Sequence, residues 1–238
     1  MIKREYFTFG GVNSLDFGIK LVNPHTESSP ERELEMVPVP GRNGDIAIDY
    51  GSWGNIQMRY ELAIANKFME QFTSFKAKML SKRGYQRLQN SFEPQYYRLA
   101  LIQEKIECET TPFHKGGVFT IVFDCKPQRF LLSGEEPVVF NAPGVMVNPT
   151  AFPSQPHIYV WAEAGEGEVA IGSRPMQING PAREMVIDCE SMTAYDANGS
   201  RNRDVYCIEF PVLEPGENVI TFSGSVKAVG VIPRWWEL

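Results

Sequence analysis

The chain has 238 residues, of which 43% are hydrophobic and 22% are charged, proportions that are normal for a folded globular protein. Its length accommodates two domains of ordinary size. The longest uncharged apolar run, residues 118–123, is far too short to span a membrane. The N-terminal segment also lacks the apolar core of a signal peptide, which predicts that the protein folds in a cytoplasm.

Charge is distributed unevenly between the two halves of the chain. Residues 1–133 carry 17 basic and 15 acidic groups, a balance of +2. Residues 134–238 carry 6 basic and 14 acidic groups, a balance of −8. Such an asymmetry predicts that the two halves face different partners.

Most of the chain consists of short segments that alternate apolar and polar residues and are rich in Val, Ile, Phe and Tyr, a pattern typical of strands. These segments are EYFTF, RYELAIA, YRLALIQEKIECE, GGVFTIVFDC, HIYVWAEA, EVAIG, EMVIDC, DVYCIEF and NVITFSG. Turn signals separate them, among them Asn43-Gly44, Asn198-Gly199 and Pro215-Gly216. The succession predicts a mainly β protein built as sandwiches or barrels.

One segment follows a helical period instead. Its apolar residues are Phe68, Phe72, Phe75, Met79 and Leu80. They predict one amphipathic helix near residues 67–82, packed against a sheet, with Gly84 as a suitable stop. Residues 67–87 hold six basic groups against one acid, so the polar side is either a solvated face or a docking face for an acidic partner. Lys76, Lys82 and Arg83 are the candidates for such docking, and no nucleic-acid motif accompanies them.

A domain boundary is expected near residue 134, where a strand ends and the turn Ser133-Gly134 precedes an acidic pair. This places an N-terminal β domain with the helix at residues 1–133 and a C-terminal β-sandwich at residues 134–238. Within the first domain, residues 23–45 contain several Pro and Gly residues and predict a long irregular loop. Loops of that length in compact domains are usually functional or disordered.

No catalytic or metal-binding constellation is present in the sequence. The chain contains no GxSxG, HExxH, GxGxxG or phosphate-loop motif, and no CxxC spacing. The four cysteines are Cys108, Cys125, Cys189 and Cys207, and they are expected to be reduced and buried. These observations predict no cofactor, no metal and no enzymatic activity.

Two features of the sequence could indicate a protein that hydrolyses or binds carbohydrates. Asp188 and Glu190 lie two residues apart on a predicted strand and share a face, but a glycosidase needs two carboxylates that flank a cleft. Structural carboxylates are the expected interpretation, and His25, His114 and His157 have no apparent partners. Trp161 could stack on a sugar, but acidic residues follow it instead of a His/Asn/Arg row.

Several motifs occur in one fixed order along nearly the whole chain. They are FTFGGVNSLDFGIKL, VPVPGRNGDI, NPTAFPSQPHIYV, IDCESMTAY, FPVLEPGENVITFSG and the closing IPRWW. In this order the chain resembles the distal tail protein (Dit) family of bacteriophages with long, non-contractile tails. One departure is VWAEAGEGE (residues 160–168), where the family pattern suggests a tight hairpin soon after the strand.

The resemblance implies an architecture and a role. It implies an N-terminal β domain that assembles into a hexameric ring and a galectin-like C-terminal β-sandwich. The ring would join the tail tube protein to the tail-tip or baseplate proteins, with DNA only passing through its lumen and no contact with a membrane. The protein would be found in the virion, after assembly in the host cytoplasm. The alternatives are a host-glycan adhesin that uses the C-terminal sandwich and a cell-wall polysaccharide hydrolase.

Three local interpretations accompany the resemblance. Pro40 and the pair Asn43-Gly44 predict a tight reversal, in which Asn43 and Gly44 adopt positive φ angles. Arg42, held inside that reversal, is either a local strut or a contact to a neighbouring subunit. Asn43 is a further interaction candidate. In FPVLEPGENVI (residues 210–220), the Pro-Gly turn is expected to join two strands and to bury Phe210, Leu213 and Val219.

The C-terminal segment IPRWWEL raises the question of what holds two adjacent tryptophans. SVKAVGVI (residues 225–232) carries apolar residues on both faces and predicts a covered strand. If the chain stays extended beyond it, Trp235 and Trp236 point in opposite directions. One of them is then expected to close the core of its own domain and the other to face a neighbour, although both could pack on their own domain or on the first domain.

Overall fold

A computed structural model of the chain describes residues 5–22, 28–65, 67–110, 116–180 and 183–238. Within these residues the protein is mainly β-structure with one α-helix, which confirms the predicted fold class. The chain divides into two compact units, of which the first extends to Arg129 and the second comprises Phe130–Glu237.

The first unit is a curved antiparallel sheet with a helix on one face. Its elements are β1 (Phe7–Phe9), β2 (Val12–Asn13), β3 (Ile19–Leu21), β4 (Arg32–Val37), β5 (Ile46–Trp53), β6 (Ile56–Ile64), α1 (Phe68–Leu80), β7 (Gln86–Asn90), β8 (Tyr96–Leu101), β9 (Cys108–Thr110) and β10 (Gly117–Leu131). The main sheet has the order β2-β1-β7-β8-β10-β6-β3, and β9 also pairs with β10.

The core of this unit follows from the period of two in β6. Its buried residues are Ile56, Met58, Tyr60, Leu62 and Ile64, while polar residues between them face outward. Phe68, Phe75 and Met79 of α1 are buried in the same core, as the helical spacing predicted. Phe72 is only half-buried, and Leu80 is exposed, so its assignment to the apolar face was wrong. Leu80 is the last residue of the helix and lies one position, about 100°, around the axis from Met79.

The strands β4 and β5 form a separate two-stranded sheet. Residues 32–37 were expected to be irregular, and that prediction was wrong because they form β4. Glutamates alternate there with Leu34 and Met36, so the segment has the period of a strand, but only two apolar residues carry that pattern. The positive φ angles of the connecting turn occur at Gly41 and Gly44 and not at Asn43.

The second unit is a β-structure dominated by two long strands. Its elements are β11 (Val138–Phe140), β12 (Gly144–Asn148), β13 (His157–Ile171), β14 (Arg174–Gly180), β15 (Arg183–Asp188), β16 (Thr193–Asp196), β17 (Gly199–Ser200), β18 (Val205–Tyr206), β19 (Gly216–Ile232) and β20 (Trp236–Glu237). The strand order is β11-β19-β13-β15-β16-β17, while β12 pairs with β19, and β14 pairs with β13 and β18.

The strand β13 corrects the expectation of a hairpin within residues 160–168. It continues to Ile171 and absorbs the extra residues in bulges opposite β19, between Trp161 and Gly167. Gly167 permits a close approach, because a Cβ there would stand 2.7 Å from Ser225 Oγ. The chain reverses only after Ile171, at Gly172 (φ 58°).

The strand β19 lies between β13 on one side and β11 and β12 on the other, which confirms the prediction of a covered strand over residues 225–232. Leu213 is buried and Phe210 packs against the core, as expected. Val219 was expected in that core and is exposed, because Ile220 takes the inward position. Asn218 closes the turn instead, through hydrogen bonds with the backbone of Glu214 and Gly216.

Candidate interaction surfaces

The β4–β5 ribbon carries half of the exposed large apolar residues found among the described residues of the first unit, five of ten. They are Leu34, Met36, Ile46, Ile48 and Tyr50, and they are 40% to 61% exposed. The register pairs Val37 with Ile46 and Glu35 with Ile48, so the two isoleucines share one face, while Leu34 and Met36 lie on the other. Apolar side chains therefore occupy both faces of a ribbon that pairs with no third strand among the described residues.

The base of the ribbon is well fixed. The Gly54 N–H donates to the Glu31 carbonyl at 2.9 Å. The Arg32 guanidinium lies 4.7 Å over the Trp53 ring and 2.7 Å from Asp49. A backbone hydrogen bond from Gly51, together with Arg32, lowers the pKa of Asp49. These contacts hold the two strands together at the base of the ribbon and leave its apolar side chains uncovered.

The turn at the far end of the ribbon holds two of the predicted interaction residues, Arg42 and Asn43. The Arg42 N–H donates to the Val39 carbonyl at 3.2 Å and so closes the turn. Both side chains are exposed, and that of Arg42 makes no hydrogen bond or ion pair within the part of the chain that the structure describes. A contact between Arg42 and a neighbouring subunit stays a prediction.

The three basic interaction candidates in and after the helix, Lys76, Lys82 and Arg83, differ in position and in exposure. Lys76 is half-buried, with its Nζ 5.5 Å over the Phe72 ring. Lys82 and Arg83 follow the helix, where Arg83 is exposed and its carbonyl accepts a hydrogen bond from Gln86. The structure thus spreads these charges over the helix and the segment after it.

The C-terminal tail is held within the second unit by backbone contacts. The Leu131 N–H donates to the Trp235 carbonyl at 2.9 Å, and the Arg234 N–H donates to the Gly134 carbonyl at 2.7 Å. A Cβ on Gly134 would stand only 2.4 Å from the Trp235 backbone nitrogen. The indole of Trp235 is buried in the core of this unit. Trp235 therefore completes its own fold.

The second tryptophan, Trp236, is half-buried on the surface of the same unit. Its ring stacks on Phe152 with centroids 4.6 Å apart, and its indole N–H donates to the Pro153 carbonyl at 3.0 Å. These contacts fix the orientation of the ring while part of it stays accessible. A contact between Trp236 and a neighbouring subunit remains a prediction.

A charged cluster anchors the tail at Arg234, a non-glycine residue with a φ of 58°. Its guanidinium pairs with Glu190 and lies 3.4 Å from Asp188, which is also 3.2 Å from His157 Nε2. Burial alone would raise the pKa of Asp188, but hydrogen bonds from the Ser191 side chain and from the Glu190 N–H hold it below its ordinary value. Both carboxylates considered for hydrolysis thus hold the tail, and sequence spacing did not reveal His157 as a partner of Asp188.

Trp161, the tryptophan considered for sugar stacking, packs on the sheet of the second unit. Trp161 lies across the backbone of Gly230, where a Cβ would meet its ring at 2.9 Å, and stacks beside Tyr159 with centroids 6.3 Å apart. Its ring therefore covers β19.

A group of exposed apolar residues in the second unit was not singled out by the sequence. Met192, Tyr206 and Ile208 form it, and we name it the Tyr206–Ile208 ridge. The signal available was the alternation of residues 205–208, in which Val205 and Cys207 pack inward and the other two face outward.

The described residues contain no group of three or more His, Cys, Asp or Glu side chains that could hold a metal ion. The helix found in the described chain is too short and polar to cross a membrane. His25 and His114 lie outside the described residues, so their environment is not assigned.

The fold is that of a two-unit, mainly β protein whose first unit carries a single helix and a free-standing ribbon. A solved structure of SPP1 Dit (gp 19.1), described as a paradigm of hub adsorption apparatus in Gram-positive-infecting phages, shares it with a TM-score of 0.77 and 14% sequence identity. The match covers 99% of this chain and 100% of that chain. The motif resemblance to the distal tail protein family is thereby confirmed at the level of the fold.

A second solved structure, the phage P2 baseplate in its activated conformation with Ca, matches at a TM-score of 0.49 and 9% identity. That match covers 97% of this chain and 98% of the other. No family model matches the sequence, and no match was found among curated proteins.

Proposed function

We propose that this chain is a structural, non-catalytic component of a bacteriophage tail tip, in which six copies close into a ring. The ring connects the tail tube protein to tail-tip or baseplate proteins and lets DNA pass through its lumen. The full-length fold match to SPP1 Dit, described as a hub, supports the tail-tip role. In this proposal the first unit forms the ring, and the second, a galectin-like sandwich, faces the other partners.

The observation that carries the proposal is the β4–β5 ribbon. A two-stranded ribbon alone is marginally stable in water, and this one exposes apolar side chains on both faces. Covering them with the next copy would stabilise both the ribbon and the contact, by on the order of 1 kcal/mol for each half-exposed side chain. The same ribbon on every copy makes a head-to-tail contact that can close into a ring. Ring closure then strengthens each weak contact by raising the local concentration of its partner.

The test compares the assembly of the wild-type protein with that of a ribbon variant. Ile46→Lys combined with Ile48→Lys removes the isoleucines from one face, and Met69→Lys is the control, because Met69 is an apolar residue of α1 that is at least as exposed, at 61% against 40% and 43%. Sedimentation and negative-stain electron microscopy should show closed six-fold rings for the wild type and the control, and monomers for the ribbon variant. The melting temperature of the monomer should change little, since the mutated side chains are exposed.

Two outcomes would contradict the proposal. Wild-type protein that stays monomeric or forms two-fold dimers at every concentration, also with a tube protein present, would contradict the ring. Rings that persist unchanged in the ribbon variant would contradict the role of the ribbon.

A further inference from the structure

Three Asn-Gly pairs occur in the chain, and they are Asn43-Gly44, Asn179-Gly180 and Asn198-Gly199. In such a pair the main-chain nitrogen of the glycine can attack the side-chain amide carbon of the asparagine, because glycine has no Cβ that would crowd the nitrogen. The attack requires a backbone that is free to bring the two atoms together. Since the three pairs share their chemistry, the surrounding structure decides which of them reacts.

The pair Asn179-Gly180 is held in a sheet. It ends β14, where Asn179 lies opposite Glu166 and Gly180 lies opposite Gly165 of β13. A paired strand keeps its backbone extended. The glycine nitrogen can therefore approach the side-chain carbon only when the end of the ladder opens locally.

The pair Asn198-Gly199 lies at the turn between β16 and β17 and is held by Asp196. The Asp196 carboxylate accepts a hydrogen bond from the Asn198 backbone N–H at 2.7 Å and lies 3.5 Å from its side-chain amide nitrogen. Gly199 lies opposite Asp196 in the short ladder, and Arg201 fixes the same carboxylate at 2.7 Å. These contacts restrain the asparagine, and a carboxylate beside it opposes the negative charge that develops on the glycine nitrogen.

The pair Asn43-Gly44 lies in the turn of the β4–β5 ribbon without such restraints. Both residues are exposed, and Gly44 has a φ of 79°. Apart from its chain neighbours, no atom lies within 4 Å of the place where a Cβ of Gly44 would be. Within the part of the chain that the structure describes, neither residue makes a hydrogen bond or an ion pair. The backbone here can therefore rotate without breaking a contact.

We infer that Asn43 is a site of spontaneous covalent modification, at which the folded chain converts asparagine to an aspartyl or β-aspartyl residue. The Gly44 nitrogen loses its proton and bonds to Cγ of Asn43. The Cγ–Nδ2 bond breaks, ammonia leaves, and a succinimide ring closes. Water then adds to one of the two ring carbonyls and opens the ring, which leaves either the normal or the β-aspartyl linkage. The reaction consumes one water molecule and changes no oxidation state.

The product differs from the original turn in charge and in backbone length. Residues 40–45 carry one cation, Arg42, and one anion, Asp45, and the conversion adds a second carboxylate between them. The β-aspartyl linkage also adds one carbon to the backbone of the turn, between the strands that Val37 and Ile46 pair. The inference does not rest on the proposed ring, because the reaction takes place within a single chain.

The experiment uses the full-length protein, kept dilute for several days at body temperature, at neutral and at mildly alkaline pH. Peptide mapping by mass spectrometry with electron-transfer fragmentation separates the two products and places them in the chain. Both products should form at residue 43 at least about tenfold faster than at residues 179 and 198, because those two sites react only after local opening. The rate at residue 43 should rise in proportion to the hydroxide concentration. In urea the three rates should converge, since all three sites are the same dipeptide.

Two variants assign the reaction to its residue. Each conversion adds one negative charge, so ion-exchange chromatography of the aged wild type should show a more acidic species. Asn43→Gln should lose the first such species, because the longer side chain closes a larger and less favourable ring. Asn198→Gln, the matched control, should keep it. An acidic species that persists in Asn43→Gln would overturn the assignment. So would native modification at residue 179 or 198 that is as fast as at residue 43, or an unmodified Asn43 in folded protein when the urea-unfolded chain reacts.

Discussion

At the scale of single residues, the role of Gly134 in the structure differs from the role that the sequence predicted for it. Gly134 was interpreted from the sequence as part of a turn at a domain boundary. In the structure its missing side chain leaves space for the backbone of Trp235, which passes where a Cβ would be. The pairing joins residues about one hundred positions apart, and local sequence carries no record of such a contact.

The four cysteines illustrate what burial does to reactivity. Burial raises the pKa of Cys125 and of Cys189 to about 12, whereas Cys108 and Cys207 are only half-buried. The prediction that all four are buried thus holds fully for two of them. Burial slows the labelling of a thiol in two ways. It keeps the reagent away from the sulfur, and it reduces the fraction of the thiol that is ionised to the reactive thiolate.

We therefore expect Cys125 and Cys189 to resist a maleimide reagent at about pH 8, where about one thiol in 10,000 with such a pKa is ionised. Mass spectrometry of the labelled native protein should place any rapid modification at Cys108 or Cys207. All four thiols should react once urea unfolds the chain. Rapid native labelling of Cys189 would mean that the core of the second unit opens readily.

At the scale of elements, the strands and the helix that bury one face could be predicted from the sequence. A strand without a buried face could not. The strand β6 and the helix α1 were identified because one face of each is apolar and the other polar. The ribbon strand β4 was missed because its residues are exposed, apart from the half-buried Val37, so no core selects a face. The continuity of β13 was missed because bulges beside β19, a tertiary contact, absorb the glycines and glutamates.

The C-terminal tail is the element whose two tryptophans can be separated experimentally. Trp235→Ala should lower the free energy of unfolding by about 3–5 kcal/mol, because it empties a buried site in the second unit. Trp236→Ala removes a half-exposed ring and one hydrogen bond, and should cost about 1 kcal/mol. Urea denaturation of both variants measures these losses.

Ring assembly of the same two variants tests the proposed contact of Trp236 with a neighbour. Trp236→Ala should weaken assembly more than its small loss of stability explains, while Trp235→Ala should assemble normally below its melting temperature. Intact assembly of Trp236→Ala would show that this tryptophan only closes the fold of its own unit.

At the scale of the whole molecule, the proposed ring contact depends on the hydrophobic effect. It rests on exposed apolar side chains on both faces of the β4–β5 ribbon. Added salt screens exposed charges but leaves the hydrophobic effect in place or strengthens it. Ring assembly should therefore not weaken as the ionic strength rises.

Raising NaCl from about 50 mM to about 500 mM should keep the fraction of protein in rings constant or raise it, although the Debye length shortens from more than 10 Å to about 4 Å. Sedimentation at both salt concentrations measures this fraction. If the rings dissolve as salt is added, ion pairs such as those available to Arg42 hold the copies together, and the apolar faces of the ribbon do not.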